Sequence, residues 1–141
     1  MSQTPIYTAI LNDGTIYKHW TLFIDAPPPH QKLSLNALGS SEGVFRYECT
    51  EITGANNNPR DNPGLEQLYH LCDIDTADAG KVRDVAGQLK IRNEVKGWNC
   101  QDFVLDLLEA LEEKGIVDTE RGDGRYGERK ERLRGMQDGL A

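Results

Sequence analysis

The chain has 141 residues, of which 38% are hydrophobic, and this content is sufficient for the core of one compact domain. Its net charge is −7 at pH 7, so nucleic acid and anionic membrane surfaces would repel most of it, and we expect neither as a partner. No stretch approaches the roughly 20 apolar residues that span a bilayer, and the N-terminus lacks a secretory pattern. We therefore expect a soluble cytoplasmic protein.

The three cysteines indicate a reducing compartment. Cys49, Cys72 and Cys100 are too few and too widely spaced for a disulfide framework. The sequence contains no CxxC pair or His/Cys cluster with zinc spacing, and no glycine loop typical of phosphate or dinucleotide binding. We expect no metal and no cofactor. Cys49 and Cys72 lie in strand-like runs, which favours inert packing roles for both.

The first third of the chain alternates in the manner of β-strands. Ile6–Leu11 and Ile16–Ile24 flank Asn12–Gly14, a turn signal that predicts an antiparallel hairpin. Two further alternating runs, 32–38 and 44–49, extend this to a meander of about four strands.

The middle of the chain contains a long loop followed by an ambiguous apolar run. Residues 54–64 are almost entirely Asn, Pro, Gly and charged residues, which predicts a loop, and its length indicates a functional or a mobile one. Residues 65–74 fit either a further strand or a short helix, and we favour the strand.

Two helices follow. The first begins near Asp75–Asp78 and continues to about Lys90. The second begins at Asn99, which can cap it together with Asp102, and Gly115 ends it. Its apolar stripe consists of Phe103, Val104, Leu107, Leu108 and Leu111.

The predicted fold is therefore α+β, with an antiparallel sheet of about four to five strands packed against helices. Residues 1–117 form the predicted domain. The strongly charged segment 118–141 is predicted to be a linker followed by a surface helix, which either docks through Tyr126, Leu133 and Met136 or frays in isolation.

Cys100 is the candidate nucleophile, because it falls in the first turn of the second helix. The unpaired N–H groups and positive dipole end of a helix N-terminus favour a thiolate over a thiol. His19, within the predicted strand Ile16–Ile24, is the candidate base. The alternative is that Cys100 is a small buried hydrophobe and that His19 is an ordinary strand histidine bonded to a carbonyl.

His19-Trp20 and the later Asn99-Cys100 resemble the motifs of the circularly permuted papain-like superfamily, the NlpC/P60-related, lecithin:retinol acyltransferase-like proteins. The similarity covers roughly residues 15–117 and is closer still to small fungal proteins with an HW strand and an NCQ helix start. The resemblance implies a papain-like core in permuted order, with the cysteine helix C-terminal to the histidine strand.

The resemblance also implies a third polar residue that orients the histidine. The family commonly has histidine there, whereas this chain has Asn36, whose amide oxygen can accept the imidazole N–H. Cys100 would then attack an acyl carbon, with His19 as base and the backbone N–H of Cys100 holding the oxyanion. His30 is a further candidate member. Trp20 and Trp98 either seal the core or wall the substrate pocket.

Two functions remain open from the sequence. The first is a cysteine hydrolase or acyltransferase acting on an amide, peptide or (thio)ester bond, and the absence of a membrane anchor favours a soluble amide or peptide substrate. The second is a catalytically silent papain-like scaffold that serves as a protein-interaction module, with the 54–64 loop and the charged tail engaging a protein partner.

Overall fold

The computed structural model describes residues 2–12, 14, 18–39, 44–53, 58–120 and 123–137. Its strands are β1 (Gln3–Leu11), β2 (His19–Ile24), β3 (Lys32–Gly39), β4 (Phe45–Ile52) and β5 (Leu65–Asp75). Its helices are α1 (Ala79–Gln88), α2 (Cys100–Glu113) and α3 (Tyr126–Arg134), with single 3₁₀ turns at Pro59–Asp61 and Thr76–Asp78. The α+β fold class predicted from the sequence is confirmed.

The five strands form one antiparallel sheet in the order β4-β3-β2-β1-β5. The first four strands make the predicted meander, and the run after residue 64 is a strand, as we favoured. β5 pairs with β1 at the opposite edge from β4, so the connection between β4 and β5 crosses the width of the sheet. Arg60 on this connection lies over the rings of Tyr7 and Phe23, with its guanidinium carbon 5.3 and 5.4 Å from the ring centroids.

The core lies between the sheet and α2. Because side chains alternate along a strand, Trp20, Leu22 and Ile24 of β2 all point to the helix side, where they are buried. The apolar stripe of α2 faces them and is likewise buried, as its spacing predicts. Truncating one of these side chains to alanine would cost about 2–5 kcal/mol.

The C-terminal helix packs onto this same core. Tyr126 and Leu133 of α3 are buried among the core residues, and Met136 packs against them. The Tyr126 hydroxyl donates a 2.7 Å hydrogen bond to Glu112 of α2. Burial and this carboxylate raise the pKa of Tyr126 well above its usual value, so the hydroxyl stays protonated.

β1 and β2 pair antiparallel, which confirms the predicted hairpin, but the link between them is longer than the predicted Asn12–Gly14 turn. Lys18 lies outside the strand, β2 begins at His19, and Leu11 pairs with His19, so the connection runs from residue 12 to residue 18. Of the predicted turn and strand start, Asp13, Ile16 and Tyr17 lie outside the described residues. The physical reason lies in tertiary bonds: the Asn12 N–H donates to the carbonyl of Gly64, and its side-chain amide donates to Glu66.

The helix boundaries follow the sequence signals closely. α1 begins after a turn capped by Asp75, whose carboxylate accepts the N–H of Ala77. α2 begins directly after Asn99 and gives way to Gly115, which has a φ of +75°. No helix in the described part of the chain is long and apolar enough to cross a membrane.

Candidate functional site

The first turn of α2 is fixed by a capping box. The side-chain oxygen of Asn99 accepts the N–H of Gln101 at 2.8 Å, and the Asp102 carboxylate accepts the N–H of Asn99 at 3.0 Å. These reciprocal bonds define where the helix starts, so Cys100 is its first helical residue. The predicted cap and the predicted helical position of Cys100 are both confirmed.

The start of α2 contacts the start of β2. The thiol of Cys100 donates to the carbonyl of Lys18 at 3.9 Å, and the side-chain amide of Gln101 donates to the same carbonyl at 2.9 Å. Lys18 directly precedes His19, the first residue of β2. We call Lys18, His19, Cys100 and Gln101 the α2–β2 corner.

Sequence reasoning missed Gln101. Its side chain is buried, and its bond to Lys18 joins two segments that are 83 positions apart. A glutamine beside a helix cap carries no signal for such a contact, because the partner is a backbone carbonyl distant in sequence. The Gln101 side chain thus links the first turn of α2 to the residue that precedes β2.

His19 lies at the point where β2 and β3 separate. β2 stays paired with β1 up to His19, but its ladder with β3 covers only Leu22–Leu35, Phe23–Ser34 and Ile24–Leu33. Because Trp20 points into the core, alternation places His19 on the opposite face, where it is half-buried. The beginning of β2 and the end of β3 thus flank a gap in the ladder.

Asn36 lies on β3 just past this separation. It is 8% exposed, and its amide nitrogen lies 3.4 Å from the hydroxyl of Thr21. Thr21 in turn donates to the carbonyl of Leu35 at 3.1 Å and lies 2.6 Å from the hydroxyl of Ser34. The Asn36 side-chain oxygen is buried with no hydrogen-bond partner among the described residues. It is therefore an acceptor available to a donor on this face.

The structure thus brings some predicted site residues together and sets others apart. Cys100 contacts the residue next to His19, and Asn36 contacts Thr21, which shares a face of β2 with His19. His30, by contrast, is exposed in the turn between β2 and β3, at the far end of β2 from His19. His30 is therefore not part of the corner.

The two tryptophans have structural roles on either side of this corner. Trp20 is fully buried in the core. Trp98 packs edge-on against Phe45 and Phe103, with ring centroids 5.8 and 6.4 Å apart, and its indole N–H donates to Asp106 at 3.0 Å. Trp98 therefore braces the segment that leads into α2.

The other two cysteines occupy strands. Burial, with the Asp73 carboxylate as a smaller contribution, raises the pKa of the Cys72 thiol to about 12. Burial likewise raises the pKa of Cys49. Both thiols stay protonated at neutral pH, which fits the packing roles predicted for them.

Cys100 is not among the residues that line the cavity between β5 and α3. This cavity has a volume of about 530 Å³ and is lined mainly by polar residues, including Asp73, Asp123 and Arg129. Arg129 is already paired there with Asp123 at 2.5 Å. Cys100 itself is 1% exposed, so its thiol is almost completely shielded from solvent. Among the described residues, no group of three or more His, Cys, Asp or Glu side chains is arranged to hold a metal ion.

Comparison with known proteins places the chain in a family without assigning it an activity. Residues 6–118 match DUF6540, described as a family of unknown function, and the chain belongs to that family. The match includes all five residues of interest at the corner and on β3. Neither the curated proteins nor the solved structures contain a significant match to the chain.

Proposed function

We propose that this member of the DUF6540 family is a cysteine-dependent acyl-transfer enzyme, a hydrolase or acyltransferase acting on an amide, peptide or (thio)ester bond. The observation that carries the proposal is the α2–β2 corner. A thiol at the first position of a capped helix lies against the residue that precedes the candidate base. The resemblance of His19-Trp20 and Asn99-Cys100 to permuted papain-like enzymes supports the same assignment.

The roles follow from the chemistry of each side chain. Alternation places the His19 ring on the face of β2 away from the core, so the proposed reaction requires the ring to turn toward α2 at the end of the strand. His19 then takes the thiol proton, and the Cys100 sulfur attacks the acyl carbon. The positive end of α2 stabilises the oxyanion that forms. The bond to the leaving group then breaks, the imidazolium returns the proton to that group, and a thioester remains. Water or another acceptor, deprotonated by His19, releases the acyl group and regenerates the thiol.

Asn36 is the candidate for the residue that orients the imidazole of His19. Its buried oxygen lacks a donor, and an imidazole N–H is the donor that a Cys-His-Asn arrangement supplies. Such a bond would fix the ring so that its other nitrogen faces the thiol. Because an amide carries no charge, stabilisation of the thiolate would depend chiefly on the helix dipole.

A second function is favoured by one observation, the near-complete burial of Cys100. Free cysteines of this kind are commonly small packing residues. In this alternative, the protein is a papain-like binding module that engages a protein partner through its acidic surface, and the corner is purely structural. Acyl transfer to Cys100 separates the two functions.

The experiment is incubation of the intact protein with p-nitrophenyl acetate, followed by release of p-nitrophenol and peptide mapping of the acetyl group. The proposal predicts a thioester on Cys100 that is absent in Cys100→Ala, whose fold is checked by circular dichroism. A protein that is folded but is never acetylated at Cys100 would support the binding module instead.

A further inference from the structure

A small pocket lies at the end of the β3–β4 hairpin. It has a volume of about 180 Å³ and is lined by Leu38, Gly39, Val44, Phe45 and Arg46. We call it the rim pocket. Three of the five lining residues are large and apolar, and one is a cation.

The rim pocket is tied to the segment that leads to Cys100. The side chain of Asn93 accepts the N–H of Phe45 at 2.8 Å and donates to its carbonyl at 3.0 Å. The ring of Trp98 packs edge-on against the ring of Phe45, and Trp98 lies two positions before Cys100. One wall of the pocket, Phe45, is therefore held against the chain segment that precedes Cys100.

Apolar side chains are exposed at this place. Among the described residues, the exposed large hydrophobic side chains are Val44, which is 53% exposed, and Val95, which is 45% exposed. Val44 lines the pocket, and Val95 belongs to the segment that Asn93 and Trp98 hold against Phe45. Exposed apolar groups that gather beside a concavity mark a binding site more often than scattered ones do.

The size and the charge of the pocket limit the kinds of ligand that it can bind. An apolar cavity of about 150 Å³ holds a benzene molecule, so 180 Å³ accommodates a branched chain or ring of similar size. Gly39 is required for this shape, because a Cβ there would lie 2.9 Å from the Phe45 ring. Arg46 is mostly exposed beside the pocket and pairs only loosely with Glu48, at 3.7 Å, so it disfavours a cationic group.

We propose that the rim pocket binds the acyl side of the substrate and selects a short, uncharged, branched or aromatic group attached to the reacting carbonyl. This inference rests on the proposed function. Two observations favour this occupant. Phe45 of the pocket packs against Trp98, two positions before Cys100, and the lining is mostly apolar. A long straight acyl chain would exceed the pocket volume, and an acetyl group would leave it unfilled.

The test compares p-nitrophenyl acetate with p-nitrophenyl 3-methylbutanoate on the full chain. In each reaction, the Cys100 sulfur forms a thioester and p-nitrophenolate leaves, so product release reports the rate. We expect acylation by the branched ester to be about tenfold faster, because burying the extra apolar carbons stabilises its transition state. Val44→Asp should abolish this ratio, because a carboxylate in the pocket lining disfavours the branched apolar group.

Thr119→Asp is the matched control, since it adds the same charge at an exposed position in the turn after α2. It should retain the tenfold ratio. Equal rates for the two esters, or an unchanged ratio in Val44→Asp, would overturn the assignment of the pocket while leaving Cys100 as an acyl acceptor. Failure of both esters to acylate Cys100 would instead remove the proposed function itself.

Discussion

Cys100 and Cys72 are both buried, yet their backbone settings differ. Cys72 lies within β5, where strand N–H groups are used by the sheet ladder and where burial raises the pKa of the thiol to about 12. Cys100 begins α2, at the positive end of the helix dipole, and its thiol donates to the backbone carbonyl of Lys18. Because the N-terminus of a helix favours a thiolate, we expect Cys100 to be the more reactive of the two thiols.

The largest expected effect on the difference in reactivity between Cys100 and Cys72 comes from replacing His19. If His19 is the base that activates Cys100, then His19→Ala should slow acetylation of Cys100 by about 10²–10⁴-fold. Labelling of unfolded protein at Cys72 should be unchanged. The measurement is the rate of p-nitrophenol release, with acetylation sites mapped by mass spectrometry. Retention of full activity would show that the corner acts without its histidine.

Gln101→Leu should loosen the corner without touching the thiol. The Lys18 carbonyl would lose a 2.9 Å bond at a buried position, which costs about 1–3 kcal/mol. We expect urea unfolding to shift by that amount and Cys100 acylation to fall. Gln137→Leu is the control, because Gln137 donates a comparable bond to Asp102 at the exposed side of α2. Equal losses in both variants would argue against a special role for Gln101.

Serine substitution compares the two thiol environments directly. At Cys100 the Lys18 carbonyl lies 3.9 Å from the sulfur, so a small shift of the side chain brings a serine hydroxyl within donating distance, and Cys100→Ser should cost less free energy of unfolding than Cys72→Ser. At Cys72 the hydroxyl enters the apolar core and should cost about 1–3 kcal/mol. Chemical denaturation of both variants provides the comparison. The reverse order of costs would contradict the contrast.

Asp25 lies just after the end of β2 that is far from Cys100, and its contribution to the free energy of unfolding should depend on pH. Burial of Asp25 raises the pKa of its carboxyl, but hydrogen bonds from Lys32 and Arg60 outweigh this and hold the pKa below its usual value. The stabilisation is therefore present above the unfolded pKa near 3.9 and is lost as pH falls through the folded value.

For Asp25→Asn we expect a loss of about 1 kcal/mol at pH 7 that diminishes toward pH 2, as the pH falls below the unfolded pKa near 3.9. Urea denaturation at both pH values measures it. Because this site lies away from the corner, Cys100 acylation should be unchanged. A loss that persists at low pH would indicate that packing, and not charge, stabilises Asp25.

Local signals explain what the sequence could predict. The α2 cap, its apolar stripe and the end at Gly115 all depend on residues within a few positions, and each is observed. The antiparallel pairing of β1 with β2 was predicted correctly, but β2 starts later than predicted, next to Asn12 contacts with Gly64 and Glu66 that are remote in sequence. The edge position of β5 depends likewise on a crossover that no local pattern specifies.

The candidate site divides in the same way. Placement of Cys100 at the first turn of α2 is a local property, and the structure confirms that placement. The contact of Gln101 with Lys18 and the unpartnered oxygen of Asn36 arise from chain segments meeting in space, so no spacing in the sequence predicts them. The catalytic roles of Cys100, His19 and Asn36 stay predictions.

The most direct test of the account is iodoacetamide labelling of the native protein across pH 5–9, mapped to Cys49, Cys72 and Cys100, with His19→Ala in parallel. The account predicts that Cys100 is alkylated near neutral pH while Cys72 reacts only after unfolding, and that His19→Ala slows labelling of Cys100. If Cys100 and Cys72 both react only in denaturant, the helix start does not activate its thiol, and the enzyme assignment is contradicted.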